Sequence, residues 1–156
     1  MKKFYLAVAT GLGFGLMSPA SGTWGTLVGI PLVLIFSHVS HFWYFVAMAL
    51  LFALGVKAAS EAERHYGEAD DGRIVIDEIV GYMVTMWPFP AHGWNMFWAF
   101  ILFRIFDVIK PFPARRIDEA KAGGLGVMAD DVFAAIWALA ALWILCRLGW
   151  FGCRLK

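Results

Sequence analysis

The chain has 156 residues and a mass of 17.4 kDa, which suits one domain over residues 1–156. Apolar types from Ala to Cys make up 61% of it, where an average soluble domain reaches about 45–50% even with Gly counted. Charged residues are only 16% against roughly 25%, and the mean hydropathy is +0.69. A soluble monomer this small and this apolar would expose large greasy patches, and disorder, coiled coil and collagen are excluded by the same numbers. The expectation is an all-α, multi-span membrane protein. The net charge of +1 leaves no nucleic-acid footprint.

In chain order, Met1-Lys2-Lys3, the apolar run 4–17 and Ser18-Pro19-Ala20 imitate a secretory signal. Gly11, Gly13 and Gly15 interrupt that run and further apolar segments follow at once, so a retained glycine-rich segment is expected. Residues 24–36 form the next apolar stretch, ended by Ser37 to His41. Residues 42–56 follow and continue as a polar helix over 57–66, with Arg64, His65 and then Gly67 as its stop signal. The stretches 74–87, 94–109 and 132–148 complete the set. Several are shorter than the roughly 20 residues a span needs. About four transmembrane helices are expected, with short interfacial helices on the cytoplasmic side. Cys146 and Cys153 make neither a disulfide framework nor a metal pattern.

All 12 acidic residues fall within 61–78 and 107–131. With four spans and the N-terminus inside, both blocks lie on one face. Lys2, Lys3, Lys57, Arg64, Arg73, Lys110, Arg115, Arg116 and Lys121 share that face. Arg147, Arg154 and Lys156 lie opposite, and Arg104 sits inside an apolar run. By the positive-inside rule the charged face is cytoplasmic. Within that face, Glu61, Glu63 and Glu68 read as a solvated helix surface.

Four clusters carry the chemistry. Residues 18–26 are a small-residue loop entering the first span; its hydroxyls (Ser21, Thr23, Thr26) and helix-start N–H groups suit an anion or plain N-capping. Asp77 and Glu78 lie side by side in an apolar segment, where each charge costs about 2.5–3.5 kcal/mol near mid-bilayer, so a hard cation or a basic residue should face them. Arg104, Asp107 and Lys110 are spaced by three and share one side of a helix. Beyond Pro113, Arg115-Arg116-Ile117-Asp118 reads as a short surface helix whose arginines suit a phosphate or anionic headgroups. Finally, a glycine-rich turn at 123–126 leads into a helix carrying Asp130 and Asp131. Asp77, Glu78, Asp107, Asp130 and Asp131 form an oxygen-only donor set, which suits Mg²⁺ rather than zinc or copper. His38, His41, His65 and His92 do not join it.

The blocks Ser21-Gly-Thr-Trp-Gly-Thr26, Ile74-Val-Ile-Asp77-Glu78-Ile-Val-Gly81, Phe103-Arg-Ile-Phe-Asp107-Val-Ile-Lys110-Pro-Phe-Pro113 and Gly123-Gly-Leu-Gly-Val-Met-Ala-Asp-Asp131 resemble, in order and spacing, the four signature blocks of the phosphatidylglycerophosphatase A family. The resemblance covers nearly the whole chain. It implies a bacterial inner-membrane enzyme, Mg²⁺-dependent, that hydrolyses phosphatidylglycerophosphate to phosphatidylglycerol and inorganic phosphate. One departure is Ala135, where the family usually has Gly after Ala134; a methyl there bears on helix packing.

The residues themselves fit such a reaction. Hydrolysing a lipid phosphomonoester needs a membrane-held site, a divalent ion, cationic clamps and a water. The expected division of labour puts the five carboxylates on the metal, with Ser21, Thr23, Thr26, Arg104, Lys110 and Arg116 on the phosphate. There is no Asp-x-Asp or Cys-x5-Arg pattern for a phosphoenzyme route, which favours attack by metal-activated water with one carboxylate as base. Two other classes remain open: a membrane alcohol-phosphotransferase of phospholipid synthesis, and a non-enzymatic small membrane protein. The expected partners are the lipid substrate and the membrane.

Overall fold

The structure is a computed structural model that describes residues 1–120, 123–153 and 155. Among these there is no strand. Seven α-helices follow one another: α1 (Lys2–Ala9), α2 (Ser21–Phe36), α3 (His41–Tyr66), α4 (Ile76–Met86), α5 (Gly93–Ile109), α6 (Ala114–Ala120) and α7 (Gly123–Arg147), with 3₁₀ turns at Phe14–Leu16 and Trp150–Gly152. Lys121, Arg154 and Lys156, three of the charges in the topology reading, lie outside the described residues.

Only α3 and α7, with 26 and 25 residues, combine the length and apolarity to cross a membrane on their own. The 16 residues of α2 and the 17 of α5 fall short of a full untilted span. At 11 residues α4 is shorter still, about 16 Å of helix. Its stop has a plain cause: Pro88 and Pro90 follow Met86 within four residues, and proline cannot continue a helix interior.

The short helix is the hub. α4 packs against α2, α3, α5 and α7, and nine of its eleven residues are buried. Two tyrosines tie it in. Tyr44 Oη of α3 donates to the Met83 carbonyl at 3.0 Å, one of the last four carbonyls of α4 that have no partner within the helix. Tyr82 Oη of α4 donates to the Met96 carbonyl of α5, also at 3.0 Å. The core around these contacts includes Phe103, Met83, Met86, Met128 and Leu142, all almost fully enclosed.

The helix ends follow the sequence reading in two places. α3 stops at Gly67, which takes a left-handed φ of 77° and returns its N–H to the Glu63 carbonyl at 2.8 Å. α6 forms where the short surface helix was expected. In a third place the reading fails. The glycine-rich stretch 123–126 is not a turn before a helix; it is the first turn of α7. The reason is tertiary. A Cβ on Gly124 would collide with the Val56 carbonyl of α3 and sit 2.5 Å from Ser60 Oγ. The glycines therefore let α7 lie against α3, where Ala58, Ala59 and Ala62 are also fully buried. The methyl of Ala135 is accommodated deeper in the same helix: it is fully buried, and its carbonyl lies 3.5 Å from Thr85 Oγ1.

Candidate active site

The starts of α2, α4 and α7 and the ends of α3 and α5 come together at one end of the bundle. Between them lies a cavity of about 280 Å³. Its walls take Ser21 and Gly22 from the start of α2, Asp77 and Glu78 from the first turn of α4, Arg104 and Asp107 from the end of α5, Lys110 just beyond, and Asp131 from α7.

The first turn of α4 sits at the cavity because the chain before it is pinned. The Val75 N–H donates to the Ala9 carbonyl at 2.8 Å, and the Ile74 N–H to the Asp71 carbonyl at 2.8 Å. Arg73 holds Asp71 through Nε at 2.7 Å and Nη2 at 2.5 Å and stacks 3.6 Å from the Tyr66 ring centroid. That hydrogen-bonded guanidinium keeps the Asp71 carboxyl below its ordinary pKa. Ser21 Oγ donates to the Gly72 carbonyl, joining the start of α2 to the same loop. Asp70 and Gly72 of this loop also line the cavity. Sequence reasoning missed them, although an Asp-Asp-Gly run immediately before the Asp77 block was a visible signal.

Asp77, Glu78 and Asp131 each bring one carboxylate oxygen within 4.8 Å of the others. Among the described residues, Asp77 Oδ1, Glu78 Oε2 and Asp131 Oδ2 are buried with no hydrogen-bond partner. Three buried, unpartnered acceptors of like charge in one place are costly without a cation between them. On the opposite wall the missing side chain of Gly22 lets the Glu78 carboxylate and the Arg104 guanidinium pack against the start of α2. A Cβ on Gly22 would run into Glu78 Oε1 and sit 2.8 Å from Arg104 Nη1.

The other two acids of the expected five are already paired. Asp107 Oδ2 accepts from Arg104 Nη1 at 2.7 Å, as the i,i+3 spacing required, and the same guanidinium stands 3.6 Å from Glu78 Oε1. Asp130 lies behind the cavity wall. It accepts from Lys110 Nζ, and its Oδ1 also accepts from the Asp131 N–H at 3.0 Å. Lys110 caps α5 in a left-handed conformation, φ 46°, and donates in addition to Asp118 Oδ1 of α6 at 2.9 Å. Burial alone would lower its pKa, but Asp130 and Asp118 outweigh that and hold it above the ordinary lysine value. It is a fixed cation at neutral pH.

The remaining expected phosphate ligands fall elsewhere. Thr26 is fully buried and gives its hydroxyl to the Gly22 carbonyl at 2.9 Å. Thr23 is half-buried and does not line the cavity. Arg116 is exposed, 5.1 Å from the Phe112 ring centroid. Glu63 also departs from the solvated surface expected of it: half-buried, it accepts the Asp70 N–H at 3.0 Å and so holds the cavity loop.

The family model described as Phosphatidylglycerophosphatase A matches residues 7–146. A Haemophilus influenzae protein named Phosphatidylglycerophosphatase A is 42% identical over 134 residues, covering 85% of this chain and 82% of that protein. An Escherichia coli protein of the same name is 32% identical over 139 residues, covering 88% and 81%. A Bacteroides thetaiotaomicron protein provisionally named phosphatidylinositol-3-phosphatase is 35% identical over 150 residues, covering 88% and 93%. No solved structure matches the chain.

Proposed function

The chain belongs to the phosphatidylglycerophosphatase A family, and on that premise we propose that it is a membrane-embedded, Mg²⁺-dependent phosphatase that hydrolyses phosphatidylglycerophosphate to phosphatidylglycerol and inorganic phosphate. The observation that carries this reading is the trio of buried, unpartnered oxygens on Asp77, Glu78 and Asp131 beside two fixed cations. The donors are all hard oxygens, and the chemistry of that set fits Mg²⁺.

Asp77, Glu78 and Asp131 would hold the ion, with Asp107 at the rim. When bound, it neutralises phosphate charge and makes water a better nucleophile. Everything else is done by the chain. Arg104 and Lys110 face the cavity with fixed positive charge for a dianionic phosphate. The first turn of α2 opens on the same space through Ser21 and Gly22, where helix N–H groups favour an anion. Asp107 and Asp130 hold the two cations in place, Asp107 on Arg104 and Asp130 on Lys110. A carboxylate of the cavity would take the proton from the attacking water as the bond from phosphorus to the lipid alcohol oxygen breaks, and pass that proton to the departing oxygen.

The site belongs on the cytoplasmic face of a bacterial inner membrane in this reading. The support is the charge asymmetry: the loops at 37–41 and 88–93 carry no Lys, Arg, Asp or Glu. Impermeant labelling of a cysteine at position 68 in intact cells checks it, and modification from the periplasm rejects it.

Phosphate release by the purified protein, with Mg²⁺ and with chelator, tests the activity. The expected result is release from phosphatidylglycerophosphate that chelator stops and Mg²⁺ restores. Release of CMP from a nucleotide-activated lipid instead of phosphate would make the protein a phosphotransferase. The relative named for phosphatidylinositol 3-phosphate motivates a second substrate in the same assay. Faster release from that lipid would move the headgroup assignment while leaving the chemistry in place.

A further inference from the structure

The acidic cavity accounts for a phosphate but not for the lipid attached to it. An apolar groove of about 540 Å³ lies against the same helices, a volume within the range of small-ligand sites. Trp24, Leu27 and Pro31 of α2 form one wall, Ile76 and Ile79 of α4 the floor, and Leu12 the lip; no charged residue lines it.

The groove and the cavity are built from alternate faces of two shared elements. On α4, Asp77 and Glu78 open on the cavity while Ile76 and Ile79, the residues on either side, open on the groove. On α2, Ser21 and Gly22 line the cavity, and Trp24 begins the groove less than one turn later. From Trp24 to Pro31 the helix then runs about 10 Å away from the charged end. With the phosphate in the cavity, a molecule occupying both places needs an anionic end and an apolar tail.

We propose that the groove is the subsite for one acyl chain of the substrate phospholipid, which thereby enters with its phosphomonoester already directed at Asp77, Glu78 and Asp131. This rests on the phosphatase reading above and adds the part of the substrate that reading leaves unplaced. The nearness of the groove to the phosphate cavity, with neighbouring residues of α2 and α4 lining the two, selects this occupant. A protein helix laid in the groove would have no reason to begin where the carboxylates end, and bulk lipid filling it would not depend on a headgroup. The lip agrees with lateral entry: Leu12, Phe14, Leu16 and Met17 stand exposed around the 3₁₀ turn, directly before the loop that leads to Ser21.

The test uses the full chain in phosphatidylcholine nanodiscs with a trace of a phosphonate analogue of phosphatidylglycerophosphate that carries a diazirine on one acyl chain. Phosphatidylcholine with the same diazirine chain is the comparison probe. The expected result is labelling of α2 between Trp24 and Pro31 by the phosphonate, several-fold above the phosphatidylcholine probe and displaced by unlabelled phosphatidylglycerophosphate. Leu27→Trp, which fills the groove from a position already 38% exposed, should cut that labelling several-fold and flatten the dependence of KM on substrate chain length. Leu50→Trp, on an exposed face of α3 away from the groove, should change neither. Equal labelling by the two probes makes the groove an ordinary lipid-facing crevice and overturns the proposal. So does labelling confined to other helices in a protein that releases phosphate. Failure of the phosphatase reading registers separately, as wild-type protein that releases no phosphate from any lipid.

Discussion

Lys110 and Asp130, twenty residues apart, form an ion pair that fastens the end of α5 to the third turn of α7. Asp130 is 3% exposed at its side chain and Lys110 21%, so this is a nearly buried pair. Losing one partner of a fully buried pair costs roughly 3–5 kcal/mol. Lys110→Ala is therefore expected to destabilise the fold by about 2 kcal/mol or more, the partial exposure lowering the figure. Lys110→Ala with Asp130→Asn should recover part of that loss, because the carboxylate that remains unpaired, Asp118, is 34% exposed and no buried orphan charge is left. Denaturation in detergent measures the cycle. Additive losses would mean that the pair is not coupled.

The phosphate-binding part of Lys110 separates from this structural part by inhibitor binding. Variants that keep the fold but lack the Lys110 ammonium should bind vanadate several-fold more weakly, with Mg²⁺ half-saturation shifted little. A raised Mg²⁺ requirement with intact vanadate inhibition would make Lys110 only a strut.

Asp77→Asn, Glu78→Gln and Asp131→Asn should each lower turnover by roughly 100-fold or more, since even the groups behind metal ligands are worth 10–100-fold. Glu61→Ala and Glu68→Ala should stay near wild type, because among the described residues Glu61 pairs only with the exposed Arg64 and Glu68 lies in the outer loop. Loss of activity in the second set with retention in the first would displace the site.

Metal removal has a readout apart from turnover. An ion held by the three orphan oxygens binds the folded chain and not the unfolded one, so Mg²⁺ should raise the thermal midpoint of the wild-type protein in a concentration-dependent way. Asp131→Asn should lose most of that shift. An equal shift in wild type and variant would place the ion elsewhere.

Gly22→Ala tests the space around Glu78. The added methyl meets the Glu78 carboxylate and the Arg104 guanidinium, so these must move. Turnover should fall while the helix content by circular dichroism is kept. Gly93→Ala, where nothing lies within 4 Å, is the matching control.

The Asp71–Arg73 clamp carries a pH signature. Asp71 has a folded pKa below its unfolded value of about 3.9, so its contribution is present above that value and is lost as pH falls through the folded pKa. Asp71→Asn should thus be less stable than wild type at pH 6, with the gap closing below about pH 4. A gap independent of pH would assign the effect to packing.

Local signals were legible in the residues alone. The Arg64-His65-Gly67 stop, the proline after α4, the i,i+3 geometry of Arg104 and Asp107 and the short helix after Pro113 all depend on neighbours within a few positions. Fold class followed from composition. What was not legible needed a partner distant in the chain. The glycines at 123–126 read as a turn because only the backbone of α3 at Val56 gives them a reason to be helical. Asp107 and Asp130 looked equivalent to Asp77, Glu78 and Asp131 until Arg104 and Lys110 were seen to occupy them. Thr23 and Thr26 share a motif with Ser21, but a helix turns 100° per residue, and only the residues at its very start reach the cavity.

The brevity of α4 has a mechanical consequence. A helix matched to the bilayer must tilt or stretch its surroundings when the hydrocarbon thickness changes, at a cost of fractions of a kcal/mol per ångström. α4 is walled off by α2, α3, α5 and α7 and is too short to reach both interfaces. Mismatch therefore falls on the long helices α3 and α7, which can lean, while the depth of Asp77 and Glu78 is set by protein contacts. The Asp77 and Glu78 carboxylates ride on a shielded axle, and growth conditions that thicken or thin the surrounding lipid should leave their depth unchanged.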